Sequence, residues 1–278
     1  MFVRRNLANF LGNANMDSRE RARVGFVGIL TLAVALVVAA LPPIPQPQWY
    51  HAFADQRAWF GIPHFLDVAS NVFFLVLGAA GLWQLASGRL VLVDPRERWP
   101  WGVFFLGIAA TGITSACYHW APDNAGLFWD RLTMATAFMG WLAAHLAERI
   151  GARAGLALLP ALLLLGPGSV VYWSFTEAVG VGDLRPYGFM HFYPALLVPL
   201  LLWLFPPRYT RAGDVLVVLT LYATALAAEW LDRPLFTLSG TLSGHTLKHG
   251  LAAFAVYWAL RMLRQRRPVS DEKRLMAG

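Results

Sequence analysis

Two histidines near the carboxyl end of the chain have the spacing of metal ligands on a helix. His245 and His249, in the segment SGHTLKHG, are four residues apart, so on a helix they lie one turn apart on the same face. This arrangement lets one helix supply two imidazoles to a metal ion. A third ligand from another helix would leave the fourth tetrahedral position open, as catalytic zinc sites require. His119, in GITSACYHW, is the natural candidate for that third ligand.

A serine and an aspartate accompany these histidines. Ser115 stands four residues before His119, so both side chains project from one helix face and the hydroxyl could point at whatever the metal binds. Asp130 follows after a short loop, near enough to act as a general base or to orient a histidine. Each residue also has a structural alternative. Ser115 could bond back to a carbonyl of its own helix, and Asp130 could form an ion pair with Arg131.

Four further histidines have no partner at ligand spacing. They are His51, His64, His145 and His191. We expect each to be an interfacial or a hydrogen-bonded core residue.

The composition around these residues is strongly apolar. Of the 278 residues, 57% are hydrophobic and only 14% are charged, which is more apolar surface than one soluble domain can bury. A helix needs roughly 20 apolar residues to cross the bilayer core. Eight stretches qualify, at 24–41, 66–86, 101–118, 129–147, 154–173, 189–206, 214–230 and 245–263. The sequence therefore predicts an all-α, polytopic membrane helix bundle.

The positive charge is distributed as membrane orientation requires. A formal net charge of +7 could suggest nucleic-acid binding, but cytoplasmic loops of membrane proteins are enriched in Lys and Arg. Most of the 23 Lys and Arg residues fall on the N-terminal side of the membrane, and the opposite loops hold only Arg57, Arg185 and Arg233. We therefore expect both termini in the cytoplasm, solvated arginines that set the orientation, and no nucleic-acid partner.

The alternating direction of the spans brings the polar residues together. Residues late in the third span and early in the second, fourth and eighth spans share one membrane face, which is the non-cytoplasmic one. Polar groups are costly inside a membrane, so a cluster of them there is a functional candidate. Cys117 is the only cysteine, which excludes an internal disulfide, and we expect it to be a small core residue.

Four segments of the sequence resemble those of the alkaline ceramidase family, which shares a superfamily with the adiponectin-type receptors. The segments are DVASN, GITSACYHW, WDR and GHTLKH, and the likeness covers roughly residues 50–264. The resemblance implies a seven-helix core, to which the first span adds an extra N-terminal transmembrane helix. The implied organisation is a cytoplasmic segment 1–23, a transmembrane hydrolase domain 24–264 and a cytoplasmic tail 265–278.

The activity implied by this resemblance is zinc-dependent hydrolysis of the amide bond in a ceramide-like N-acyl sphingolipid. Such a lipid would enter sideways from the bilayer and release a fatty acid and a sphingoid base. The implied zinc ligands are His119, His245 and His249, with Ser115 near the scissile carbonyl and Asp130 as the proton-transfer group. The sequence leaves open which acyl chain fits and what oligomer forms.

Two other functions stay open. The same residues could serve a zinc-containing membrane receptor or structural membrane protein with little or no turnover. A haem-binding electron carrier is the third interpretation. It is the weakest one, because two axial histidines must face each other from different helices, whereas His245 and His249 share one.

One segment departs from the family pattern. The eukaryotic members have acidic calcium ligands before and at the start of the first helix of the core, whereas His64 and Asp67 occupy that stretch here, with Asp55 upstream. Calcium affinity follows the number of carboxylate ligands, so we expect little or no calcium dependence. Asp67, Ser70 and Asn71 are instead expected to form a hydrogen-bonded plug at the end of the second span.

Overall fold

The computed structural model describes residues 16–270, and this part of the chain is all-α. Its helices are α1 (Ser18–Ala40), α2 (Phe65–Ala69), α3 (Val72–Ala86), α4 (Arg98–Trp120), α5 (Asn124–Arg149), α6 (Ala152–Ala178), α7 (Arg185–Leu204), α8 (Asp214–Trp230), α9 (Asp232–Ser239) and α10 (Gly244–Gln265). Short 3-10 turns lie at Gln48–His51 and Pro95–Glu97. No strand forms within residues 16–270.

Several of these helices are long and apolar enough to cross a membrane. Five pass that test on their own, namely Ser18–Ala40, Phe65–Ala86, Pro95–Trp120, Ala152–Ala178 and Arg185–Leu204. A sixth results if α8 and α9, which are bent by 78° at their junction, form one span. The predicted spans all overlap long helices. However, α5, which carries Asp130, and α10, which carries His245 and His249, do not pass the same test, so the count of eight crossing helices stays a prediction.

The first helix begins earlier than the predicted start of the first span at residue 24. The carboxylate of Asp17 accepts the main-chain N–H of Glu20 over 2.7 Å, and the carboxylate of Glu20 accepts the main-chain N–H of Asp17. This capping box satisfies two N–H groups that no helical carbonyl can reach, and it starts α1 within the charged segment. The predicted terminal segments 1–23 and 265–278 otherwise lie largely outside the described residues.

Small residues let α4 and α5 approach each other closely. A Cβ atom added at Gly107 of α4 would overlap the backbone of Ala137 on α5. One added at Gly140 of α5 would overlap the backbone of Phe104 on α4. Such contacts are typical of membrane bundles, where close packing replaces the hydrophobic effect between helices. The pair forms a hairpin that brings the end of α4 beside the start of α5.

A network of buried ion pairs joins the other ends of these helices. Arg266, just after α10, is only 2% exposed and donates to Glu148 of α5 over 2.5 Å, while its guanidinium stacks on the ring of Tyr209. Tyr209 and Arg208 both donate to the buried carboxylate of Glu97. The prediction of solvated arginines is therefore wrong for Arg266. A buried carboxylate without a partner is costly, and Arg266 is within reach of Glu148.

Cys117 also departs from expectation. It was expected in the core, but it is exposed on the surface of α4. In a membrane bundle the surface that faces lipid is apolar, as the core is. The residue type of a small side chain therefore does not show whether it lies in the core or on that surface.

Candidate metal centre

The three predicted metal ligands meet where the end of α4 approaches the start of α10. One ligand nitrogen from each of His119, His245 and His249 lies within 4.8 Å of the others, and all three side chains are buried. Nε2 of His119 is 3.2 Å from Nε2 of His245. Two nitrogens bound to a tetrahedral zinc ion at about 2.0–2.1 Å would be separated by roughly 3.3 Å, so the spacing fits. Within residues 16–270, no other group of three His, Cys, Asp or Glu side chains has this geometry.

The hydroxyl of Ser70 sets the orientation of His249. Ser70 Oγ donates to the carbonyl oxygen of Asp67 over 3.1 Å and lies 2.8 Å from Nδ1 of His249. Because the single hydroxyl proton goes to Asp67, Ser70 accepts the Nδ1–H of His249. This tautomer leaves Nε2 of His249 unprotonated, which is the form that binds a metal.

A carboxylate lies behind His245. Oε1 of Glu229, from α8, is 3.6 Å from Nδ1 of His245, and the same oxygen accepts from Nζ of Lys248 over 2.7 Å and from the hydroxyl of Tyr50 over 3.3 Å. A carboxylate beside the outer nitrogen of a ligating histidine favours metal binding. Glu229 is polar and lies in a predicted span, but its position beside His245 could not be read from the sequence.

Ser115 and Asp130 lie next to each other, one on each helix of the α4–α5 hairpin. Both are buried, and the Ser115 hydroxyl interacts with the Asp130 carboxylate. No ion pair joins Asp130 to Arg131 in the described part of the chain, so the structural alternative for this aspartate does not occur. Oδ1 of Asp130 is buried and has no hydrogen-bond partner among the described residues. Such an atom needs a functional explanation or a ligand.

A loop closes the histidine cluster on its outer side. Phe53, between α1 and α2, is 3% exposed, and its ring centroid lies 4.7 Å from those of both His119 and His245. The neighbouring Ala54 N–H donates to Oδ2 of Asp232 over 2.9 Å, and the other oxygen of Asp232 accepts the main-chain N–H of His245 over 2.8 Å. The loop is therefore fastened to the start of α10. Phe53 has no polar atom, so a search for chemistry in the sequence does not find it.

Asp55 and Asp67, the two carboxylates considered as calcium ligands, both form contacts with protein groups. Both oxygens of Asp55 accept from Arg57, over 2.8 and 2.7 Å. Burial acts to raise the pKa of Asp55, but the hydrogen bonds and charge of Arg57 outweigh it and lower that pKa below its usual value. Oδ1 of Asp67 accepts from Ser243 and Thr246 at the start of α10, over 3.2 and 2.5 Å. These contacts agree with the plug interpretation of Asp67.

The four remaining histidines each have a hydrogen-bond partner, as expected. The contacts join His51 to Tyr118 and Asn124, His64 to the carbonyl of Asp55, His145 to the carbonyl of Trp141, and His191 to Tyr187 and Tyr222. None of the four joins the metal-binding cluster.

Comparison with known proteins identifies no relative. No family model matches the sequence, and searches of the curated proteins and of the solved structures find no match either. The resemblance to the alkaline ceramidases therefore depends on the four sequence segments.

Proposed function

We propose that this protein is a zinc-dependent membrane hydrolase that cleaves the amide bond of ceramide-like N-acyl lipids. The main support is one observation: three buried histidines gather at a site fit for a metal ion. In this proposal the first span is an extra N-terminal helix on a seven-helix core. Both termini face the cytoplasm and the site lies towards the non-cytoplasmic face. The lipid reaches the site from within the bilayer.

The ligands suit zinc. Three imidazole nitrogens in a buried site are typical of catalytic zinc, whereas calcium and magnesium prefer oxygen ligands. A zinc ion held there would polarise the amide carbonyl and make water available as a nucleophile at neutral pH. Ser70 contributes by orienting His249, and the negative charge of Glu229 lies near the outer nitrogen of His245.

Ser115 and Asp130 carry the remaining chemistry in this proposal. The hydroxyl of Ser115 donates to the carbonyl oxygen as negative charge develops there, a role worth about 2.7–4 kcal/mol for one donor. Asp130 accepts a proton from the attacking water and delivers it to the leaving nitrogen. A C–O bond forms and the C–N bond breaks, so a fatty acid and a sphingoid base are released.

The alternative functions differ in what they require of these residues. A receptor or structural membrane protein would need the histidines but not the buried pair of Ser115 and Asp130, so this pair supports a hydrolase. A haem carrier needs two facing histidines rather than three whose nitrogens converge on one point, so the geometry does not favour it.

The experiment combines elemental analysis with lipid hydrolysis. We expect purified protein to contain about one zinc per chain, as a three-histidine site requires, and to release fatty acid from ceramide. His249→Ala should lose the zinc, while His145→Ala, which changes a buried histidine outside the cluster, should keep it. A full equivalent of zinc in folded His249→Ala protein would show that the ligand assignment is wrong. Zinc-loaded protein that releases no fatty acid from any N-acyl lipid would favour the receptor or structural alternative.

A further inference from the structure

Arg131 is a buried cation without a counter-ion in the part of the chain that the structure describes. Its side chain is 6% exposed and forms no ion pair with residues 16–270. Its Nη1 atom is buried and has no hydrogen-bond partner there. A guanidinium stays protonated in proteins, and a buried charge within a membrane bundle is costly unless something pairs with it. Arg131 therefore needs a partner from outside the described residues.

Three aromatic rings hold the guanidinium in place. Its Cζ lies 4.4 Å from the ring centroid of Trp173, 4.9 Å from that of Tyr187 and 5.6 Å from that of Tyr50. Such contacts with the faces of aromatic rings stabilise the positive charge. These ring contacts are not hydrogen bonds to an oxygen or nitrogen acceptor, so Nη1 of Arg131 still lacks a hydrogen-bond partner among the described residues. Arg131 is thus fixed in position while Nη1 keeps its hydrogen-bonding capacity.

The nearby carboxylates do not satisfy this group. Glu229 of α8 pairs with Lys248 over 2.7 Å. Glu177 of α6 accepts the indole N–H of the same tryptophan that stacks on Arg131. Asp130 precedes Arg131 on α5, but adjacent residues of a helix point in different directions and the two form no ion pair. Arg131 therefore remains available to an external oxyanion, on the residue that follows the proposed proton-transfer group in α5.

We propose that Arg131 binds a carboxylate in the head group of the substrate, so that the preferred lipid is an N-acyl amino acid. This inference rests on the proposed hydrolase function and names its substrate class. In such a lipid the carboxylate is one carbon from the amide nitrogen, which places it close to the leaving group that Asp130 protonates. The planar fork of Arg131 matches a carboxylate, with which it can form two parallel hydrogen bonds. Addition of water breaks the C–N bond and releases a fatty acid and a free amino acid.

The test compares two lipids that differ only in the group that Arg131 would bind. N-oleoylglycine carries a carboxylate where N-oleoylethanolamine carries a hydroxymethyl group, and C18:1 ceramide serves as the neutral sphingolipid. We expect the zinc-loaded protein to hydrolyse N-oleoylglycine with a kcat/KM about 10–100-fold above that for N-oleoylethanolamine, because a buried charged site rejects a substrate that leaves it unpaired. In Arg131→Gln this ratio should fall towards one.

Two further variants make the result decisive. Arg131→Lys keeps the charge but lacks the fork, so its ratio should lie between those of the wild type and Arg131→Gln. Arg153→Gln, which changes an arginine at the start of α6, should keep the wild-type ratio. Zinc content and thermal unfolding of each variant establish that it folds. If Arg131→Gln does not fold, the ratio measured for Arg131→Lys decides the test.

Separate outcomes address the two proposals. Hydrolysis of ceramide or N-oleoylethanolamine without preference for N-oleoylglycine would overturn this inference while supporting the hydrolase function. A wild-type ratio that persists in folded Arg131→Gln and Arg131→Lys would also overturn it. Failure of zinc-loaded protein to hydrolyse any of the three lipids would count against the hydrolase function itself and would remove this inference with it.

Discussion

Removal of the Ser70 hydroxyl tests whether the orientation of His249 controls metal binding. Ser70→Ala would delete the hydroxyl that lies 2.8 Å from Nδ1 of His249, a side chain that is 3% exposed. The main-chain carbonyl of Asp67, which also interacts with this ring, would be the remaining partner. A buried donor left wholly unpaired costs about 1–3 kcal/mol, which is the upper limit of the penalty here. The ring is also free to take the other tautomer, in which Nε2 carries the proton. Both effects weaken the metal-bound form.

The expected loss of zinc affinity follows from this cost. A penalty of about 1–3 kcal/mol corresponds to a 5–150-fold larger dissociation constant. Loss of a partner that orients a ligating histidine typically lowers metal affinity by about 10–100-fold. We therefore expect the zinc dissociation constant of Ser70→Ala to rise by about one to two orders of magnitude. Substitution of a serine by alanine favours helix formation, so the backbone of this region should tolerate the change.

The assay is a competition titration of metal-free protein in detergent against a chromophoric zinc chelator. Ser169→Ala is the matched control, because Ser169 is also buried but donates only to the carbonyl of Gly166 in its own helix. Its zinc dissociation constant should equal that of the wild type. Zinc binding by folded Ser70→Ala within about twofold of the wild type, or an equal loss in the control, would show that Ser70 does not control metal binding by His249.

Four other predictions concern the remaining parts of the site. Asp130→Asn should lose about 10²–10⁴-fold in fatty-acid release while keeping its zinc, because an amide cannot take up the proton, and wild-type rates in the folded variant would remove Asp130 from the mechanism. Ser115→Ala should be slower by about 10²–10³-fold in the same mass-spectrometric assay, with the same criterion. Lipid hydrolysis should persist in the presence of a calcium chelator that is too weak to remove zinc. A large loss of activity that micromolar calcium restores would contradict the expected independence of calcium. Phe53→Ala should speed the removal of zinc by an external chelator, because the ring covers two of the histidines, and an unchanged rate would show that the loop does not limit access.

Local periodicity accounts for the parts of the site that the sequence predicts well. The four-residue spacing of His245 and His249 determines a shared helix face, because that relation involves only neighbouring turns. Alternation of apolar spans then places the end of α4 beside the start of α10, which is how His119 joins the pair. The all-α fold follows from composition in the same way.

Contacts between distant segments could not be predicted in this way. The Ser70 hydroxyl meets His249 across 179 residues, and no local pattern encodes that register. Phe53 looks like any apolar loop residue until the loop is folded over the histidines. Arg131 was expected to have Asp130 as its possible partner. Consecutive residues on a helix do not face each other, and aromatic rings from other elements surround the guanidinium instead.

The position of α10 at the end of the bundle has a consequence for biosynthesis. If the helices cross the membrane as the sequence predicts, α2 to α5 insert first, so Asp67 and His119 enter the bilayer before their partners on α10 have been made. Asp67 acquires its contacts with Ser243 and Thr246 only when that last helix inserts. In that case the nascent protein carries unpaired polar groups in lipid until α10 is made, a state that membrane chaperones and proteases can recognise. A chain that stops before Gly244 should therefore be degraded rather than accumulate.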